Sequence, residues 1–280
     1  MKLFGTRRAR EQTDDLIVTT RRPFVQGEPQ QPTAGQVGLK DAIRAGWYGN
    51  DTDEMFTDVP IRPTDTVVDV GCGSGAASTF IAKRAKHLVA VDHNAEALAQ
   101  ARKSLENHGP ASTEFIRADA ADLPLPDDLA DTLICREVLE HVESPAAVLQ
   151  ELRRVTKPGG LLLVTVPDPQ NERMQKHVAP DSYFQPPNHI RIIEREEFAE
   201  LITDADLEII RQSSWGFFWS IWFALFWNRG VEFDEQDDPV LNHWTMAWQH
   251  LLDTPGSEEY IRRLDDFMPK SQVIVARKPE

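Results

Sequence analysis

Three aspartates, a glycine turn and a Glu/His cluster are the residues of this sequence whose types and spacing could do chemistry. The string VVDVGCGSGA (67–76) ends an apolar run on closely spaced glycines. Gly71, Gly73 and Gly75 permit a sharp turn, and the first two also allow a ligand to approach backbone that a Cβ would shield. Taken alone the string also satisfies the dinucleotide pattern G-x-G-x-x-A, and a glycine turn with no ligand is the plainer alternative. The aspartates separate these readings. Asp69 stands two residues before the first glycine, where a carboxylate can meet an ammonium group but would repel a pyrophosphate. Asp92 closes the next apolar run, placed to accept bonds from two ribose hydroxyls. Asp119 closes the third, where it can accept from an adenine amino group. S-adenosylmethionine, a nucleoside with an ammonium and no phosphate, satisfies all three.

The second cluster lies in CREVLEHVESP (135–145). On a helical turn, Glu137, Glu140 and His141 would share one face, being i, i+3 and i+4. Two carboxylates and an imidazole there begin a site for a divalent metal such as Mg, with His189 of PPNHIRI (186–192) as a distant fourth ligand. A bound cation would lower the pKa of an acceptor hydroxyl. Without a metal, His141 or His189 is a candidate catalytic base, or the segment simply packs and hydrogen-bonds.

These residues need a scaffold that brings strand ends together. TVVDV (66–70), HLVAVD (87–92), TEFIRAD (113–119), ADTLICR (130–136) and LLLVTVP (161–167) read as strands, with helices over about 76–85, 95–107 and 144–156 and a KPGG turn at 157–160. A helix over 195–204, a sixth strand near 207–213 and a seventh at 271–278 complete the pattern. Alternation of this kind predicts an α/β fold, a Rossmann-like doubly wound sheet. A short helical stretch is expected over 38–56, where Trp47 and Tyr48 could line an acceptor pocket or merely pack. Residues 1–36 read as a polar arm and 37–280 as the domain, with 214–268 an insertion between strands six and seven. That insertion holds six of the seven tryptophans.

DVGCGSG, VDHN, ADAADLPL and ICREVLEHV, in that order, resemble the motifs of class I S-adenosylmethionine-dependent methyltransferases, and the likeness covers about residues 64–167 well. It implies a seven-stranded sheet whose last strand is antiparallel and inserted between strands five and six. It also implies that Gly71, Cys72 and Gly73 approach the methionine part of the cofactor and Asp92 binds its ribose. His93 would flank the adenine, Asp119 and Ala120 contact its edge, and Arg136 lie beside the sulfonium. The E-x-x-E-H with a later His is similar to ubiquinone-biosynthesis O-methyltransferases and to enzymes that modify the terminal ribose of small RNAs, in which the matching residues hold a metal.

The leading expectation is therefore a small-molecule O-methyltransferase acting on an apolar or aromatic hydroxyl compound. N- or C-methylation without metal, RNA 2′-O-methylation and a non-catalytic partner subunit are the alternatives. A net charge of −15 argues against nucleic acid as partner. Two cysteines give no disulfide framework, and the N-terminus has no apolar signal core, so the cytoplasm is the default compartment. SSWGFFWSIWFALFWN (213–228) is too short to span a bilayer; a buried lid, peripheral membrane contact or an oligomer contact are the readings it allows.

Overall fold

The computed structural model describes residues 31–49, 51–106, 112–232 and 237–280, and Pro32–Glu280 form one compact unit. Most of the arm expected over 1–36 lies outside the described residues. Its end is ordered: Thr33 opens helix α1 (Ala34–Arg44) through a capping box with Gln36. The helix expected over 38–56 is wrong beyond Arg44. Gly46 turns the chain at φ +96, and β1 (Trp47–Gly49), β2 (Glu54–Phe56) and β3 (Val59–Pro60) form a small antiparallel sheet. Asp53 and Asp58, both at positive φ, make its turns, and Trp47, Met55, Phe56 and Val59 are buried.

The main elements follow as β4 (Thr66–Val70), α2 (Ser78–Ala82), β5 (His87–Asp92), α3 (Ala95–Leu105), β6 (Ser112–Arg117) and β7 (Ala130–Arg136). Then come α4 (Pro145–Val155), β8 (Thr156–Pro167), α5 (Pro169–Gln175), α6 (Arg195–Asp204) and β9 (Glu208–Trp215). Helices α7 (Phe217–Arg229), α8 (Pro239–Leu252) and α9 (Glu258–Phe267) precede the last strand, β10 (Ser271–Arg277). The seven-stranded sheet runs β6-β5-β4-β7-β8-β10-β9, and β10 is antiparallel to both of its neighbours. Each strand contributes to both faces: Val68 and Val70 pack with Leu149, Leu152 and Phe198, while Val67 packs with Phe80, Ile81 and Trp47. Burial on two sides explains the continuous apolar runs. The KPGG stretch is not a separate turn; it is an irregularity within β8, where pairing with β7 shifts register and Gly159 takes φ +74.

The insertion is a helical cap. Val37 of α1 packs in the same apolar cluster as Phe218, Trp222 and Phe226 of α7, Leu241 and Trp248 of α8, and Ile261 of α9. Gly38 admits the Trp219 ring so closely that a Cβ there would lie 2.1 Å from it. Asp265 accepts from Gly216 N and Phe217 N, both at 2.9 Å, and so caps α7; Arg44 bridges it to Asp41. No aromatic of α7 is among the exposed large hydrophobics. No helix of the described residues is long and apolar enough to cross a membrane.

Candidate active site

At the carboxyl edge of β4 the three turn glycines are needed for three reasons. Gly71 (φ +72) faces Val138, whose methyl would meet a Cβ at 2.3 Å. Gly75 (φ +85) lets α3 close in, with Ala101 backbone 3.2 Å from a Cβ position. Gly73 (φ +54) has nothing within 4 Å on that side, so its face is open to a ligand. Asp69, 2% exposed, accepts from Ser78 Oγ at 2.5 Å, and burial pushes its carboxyl up to about 6. Buried Asp92 props the loop: Oδ2 accepts from Gly73 N at 2.9 Å and Oδ1 from Asn94 N at 2.8 Å. The thiol of buried Cys72 is pushed up, chiefly by burial. His93 is exposed beside Asp92. Strand β6 stops at Arg117, so Asp119 does not close it; it lies two residues on, exposed, accepting from Ala121 N at 2.9 Å beside half-buried Ala120.

The segment after β7 is not a helical turn. Glu137 sits at φ +54, outside the helical region. Its carboxylate accepts from Thr165 Oγ at 2.8 Å and from Lys270 Nζ at 2.5 Å. Burial works against that charge, but the Lys270 ammonium outweighs it and holds the carboxyl below its usual range. Arg136 donates to the Tyr48 hydroxyl at 2.9 Å and lies 4.8 Å over the Trp47 ring, tying the small sheet to the site.

Glu140, His141 and His189 do converge: one ligand atom from each lies within 4.8 Å of the other two, and Glu137 is not in the group. Glu140 is 1% exposed and neither carboxyl oxygen has a hydrogen-bond partner. Burial, and then the charge of Glu137, raises it well above the ordinary carboxylate range. His141 Nδ1 faces the Pro187 carbonyl at 3.2 Å, and His189 Nδ1 faces Glu172 Oε2 at 2.7 Å. Both partners accept, so each Nδ1 is assigned the proton and each Nε2 keeps its lone pair. Burial holds His141 below its usual value, hence neutral near pH 7. A carboxylate that orients an imidazole in this way is the usual support of a metal-binding histidine.

A cavity of about 330 Å³ adjoins this cluster, between α5 and α7, with Glu172, Gln175, Tyr183, Phe223 and Trp227 among its walls. A second, of about 180 Å³, shares Phe223 and Lys270 with it and reaches Arg136, Glu137, Trp47 and Trp215. The motifs in the sequence do not mark Glu172, Tyr183 or Lys270. They belong to no local pattern and meet the site only through the fold.

Residues 68–164 match the methyltransferase domain family. A probable S-adenosylmethionine-dependent methyltransferase of Mycobacterium tuberculosis is 32% identical over 139 residues, which is 50% of this chain and 47% of that protein. The ubiquinone biosynthesis O-methyltransferase of Paraburkholderia xenovorans is 38% identical over 34% of this chain and 41% of its own length. The chain thus spans about half the length, or less, of these curated relatives. The structure of YcgJ from Bacillus subtilis, 17% identical, superposes with a TM-score of 0.51 over 83% of this chain and 98% of that one. The [4+2]-cyclase SpnF gives 0.51 at 20% identity, over 90% and 98%. At such identities the shared property is the fold, which hosts more than one chemistry. The strand order and the glycine turn are in keeping with the match of residues 68–164 to the methyltransferase domain family.

Proposed function

We propose that this chain transfers the methyl group of S-adenosylmethionine to a hydroxyl of a small acceptor with an apolar body. In this reading Glu140, His141 and His189 hold a divalent cation beside that hydroxyl. The observation that carries it is the meeting, at one sheet edge, of the open Gly73 loop, the unpartnered Glu140 and a largely apolar cavity. The cofactor supplies an electrophilic methyl group, and the cation supplies Lewis acidity toward the acceptor oxygen.

The chain's own residues position and exclude. Asp69 offers a buried carboxylate to the cofactor ammonium, Asp92 faces the ribose hydroxyls, and Asp119 and Ala120 border the adenine. Glu172 and the Pro187 carbonyl fix the two imidazoles so that each presents Nε2. Tyr183, Phe223 and Trp227 keep water from the acceptor, so that alignment provides much of the rate. A net charge of −15 disfavours RNA in that role.

The test uses the full chain purified without chelator or affinity-metal resin. Elemental analysis should find a divalent cation that Glu140→Gln loses, and S-adenosylhomocysteine should bind both proteins alike. Transfer of labelled methyl groups to catechol should need that cation. Binding of S-adenosylhomocysteine with no transfer to any catechol, phenol or alcohol tried would refute the hydroxyl acceptor. Full transfer in chelator would refute the cation.

A further inference from the structure

The larger cavity is more particular than its apolar walls suggest. On the α5 side it is lined by Glu172 and Gln175, each 1% exposed. Glu172 Oε1 and Gln175 Oε1 have no hydrogen-bond partner, while Glu172 Oε2 is taken by His189 and Gln175 Nε2 by Asn171 and Ser220. Both orphaned atoms are acceptors. A buried polar atom without a partner costs free energy that a ligand donor would return. Other walls are aromatic: Tyr183, Phe223 and Trp227, with the Tyr183 and Trp227 rings 5.7 Å apart and steeply inclined.

Charge narrows the choice of donor. Of the two charged residues lining this cavity, Glu172 and Lys270, the ammonium is already bound to Glu137 of the neighbouring cavity, where Arg136 also lies. A cationic group on the acceptor can therefore pair with Glu172, whereas a carboxylate there would face a like charge.

We propose that this cavity takes an organic ammonium group on the methyl acceptor, with Glu172 as its counter-ion, Gln175 as a second hydrogen-bond acceptor, and Tyr183, Phe223 and Trp227 as its aromatic enclosure. The substrate class is then a hydroxylated aromatic or alicyclic amine. The face of an aromatic wall attracts the same cation. The inference rests on reading this cavity as the acceptor site.

The probes are tyramine and 3-(4-hydroxyphenyl)propanoate, which share a hydroxyphenyl body and differ in the sign of the tail. Their binding to the full chain saturated with S-adenosylhomocysteine is followed by calorimetry. Tyramine should bind about tenfold tighter or more, and Glu172→Gln should bring the two within about threefold of each other. Trp227→Leu, which leaves every carboxylate in place, should weaken tyramine by about threefold or more and barely affect the propanoate. Equal or better binding of the propanoate, no binding of tyramine, or an unchanged preference in Glu172→Gln each overturns the proposal. Neither probe is a catechol and no transfer is read. Loss of catalysis with the tyramine preference intact would therefore count against the methyl-transfer reading alone.

Discussion

Replacing Asp69 by asparagine separates the charge of the β4 carboxylate from its shape. Burial raises this carboxyl from 3.8 to about 6, a shift of about two units, or about 3 kcal/mol against the ionised form. Because the folded value lies above the unfolded one, the stability tied to this group is fully present below pH 3.8 and lost as pH rises through about 6. A ligand ammonium reverses the preference, since it favours the carboxylate. Binding of S-adenosylhomocysteine should therefore expel a proton below about pH 6. The Kd should fall by up to about tenfold per pH unit there and level off above. Calorimetry between pH 5 and 8, in two buffers of different ionisation heat, measures both the affinity and the proton. A side-chain amide cannot ionise, so Asp69→Asn should bind more weakly at pH 8 by about tenfold or more and show no slope near pH 6. The unliganded variant should also lose less stability than wild type between pH 5 and 7. A wild-type Kd flat from pH 5 to 7.5, or a slope that survives in the variant, would refute the placement of the ammonium at Asp69.

Other predictions concern the cap and the Glu/His cluster. Gly38→Ala would put a Cβ 2.1 Å from the Trp219 ring, so overpacking of about 1–3 kcal/mol should outweigh the helix-propensity gain and lower the urea midpoint; a raised midpoint would contradict the tight α1–α7 contact. Asp41, 0% exposed with one unpartnered oxygen, is raised by burial to about 6, so its stability contribution is lost as pH rises through that value. Asp41→Asn should gain about 2–3 kcal/mol relative to wild type between pH 4.5 and 7.5, read from urea unfolding at both, and an unchanged difference would mean the group does not titrate there. Glu137→Gln should keep any metal that Glu140→Gln loses, because Glu137 is bound to Lys270 and Thr165; equal loss in both would restore Glu137 to the ligand set.

The parts legible in the sequence were those governed by neighbours in the chain. Strands buried on both faces write themselves as runs such as TVVDV, and the strand order with β10 inserted followed from the family likeness. The glycine turn and its two buried aspartates were legible for the same reason: Gly73 and Asp92 meet through one strand–loop–helix unit. The E-x-x-E-H reading failed at one residue because it assumed helical φ and ψ. Glu137 takes φ +54, and what holds it there is Lys270, far away in sequence. Glu172, which orients His189, follows Pro169 in a short helix and carries no local mark. The region after α1 misled because Trp47, Met55 and Phe56 bury themselves as a folded ribbon, where spacing alone suggests a helix face.

The composition of the cap bears on how such a protein could be altered by recombination. The stretch between β9 and β10 looks like a cassette, yet it is completed by a helix from the other end of the chain: Val37 fills its interior, Gly38 receives Trp219, and Arg44 holds the aspartate that caps α7. Grafted alone onto another sheet of this fold, residues 216–270 would arrive with an open apolar seat and an unneutralised Asp265. Exchange has to move α1 with them. During synthesis the same arrangement makes α1 wait for its partners until α9 has emerged, so the cap gains its full packing only after the strands from β4 to β9 have been made.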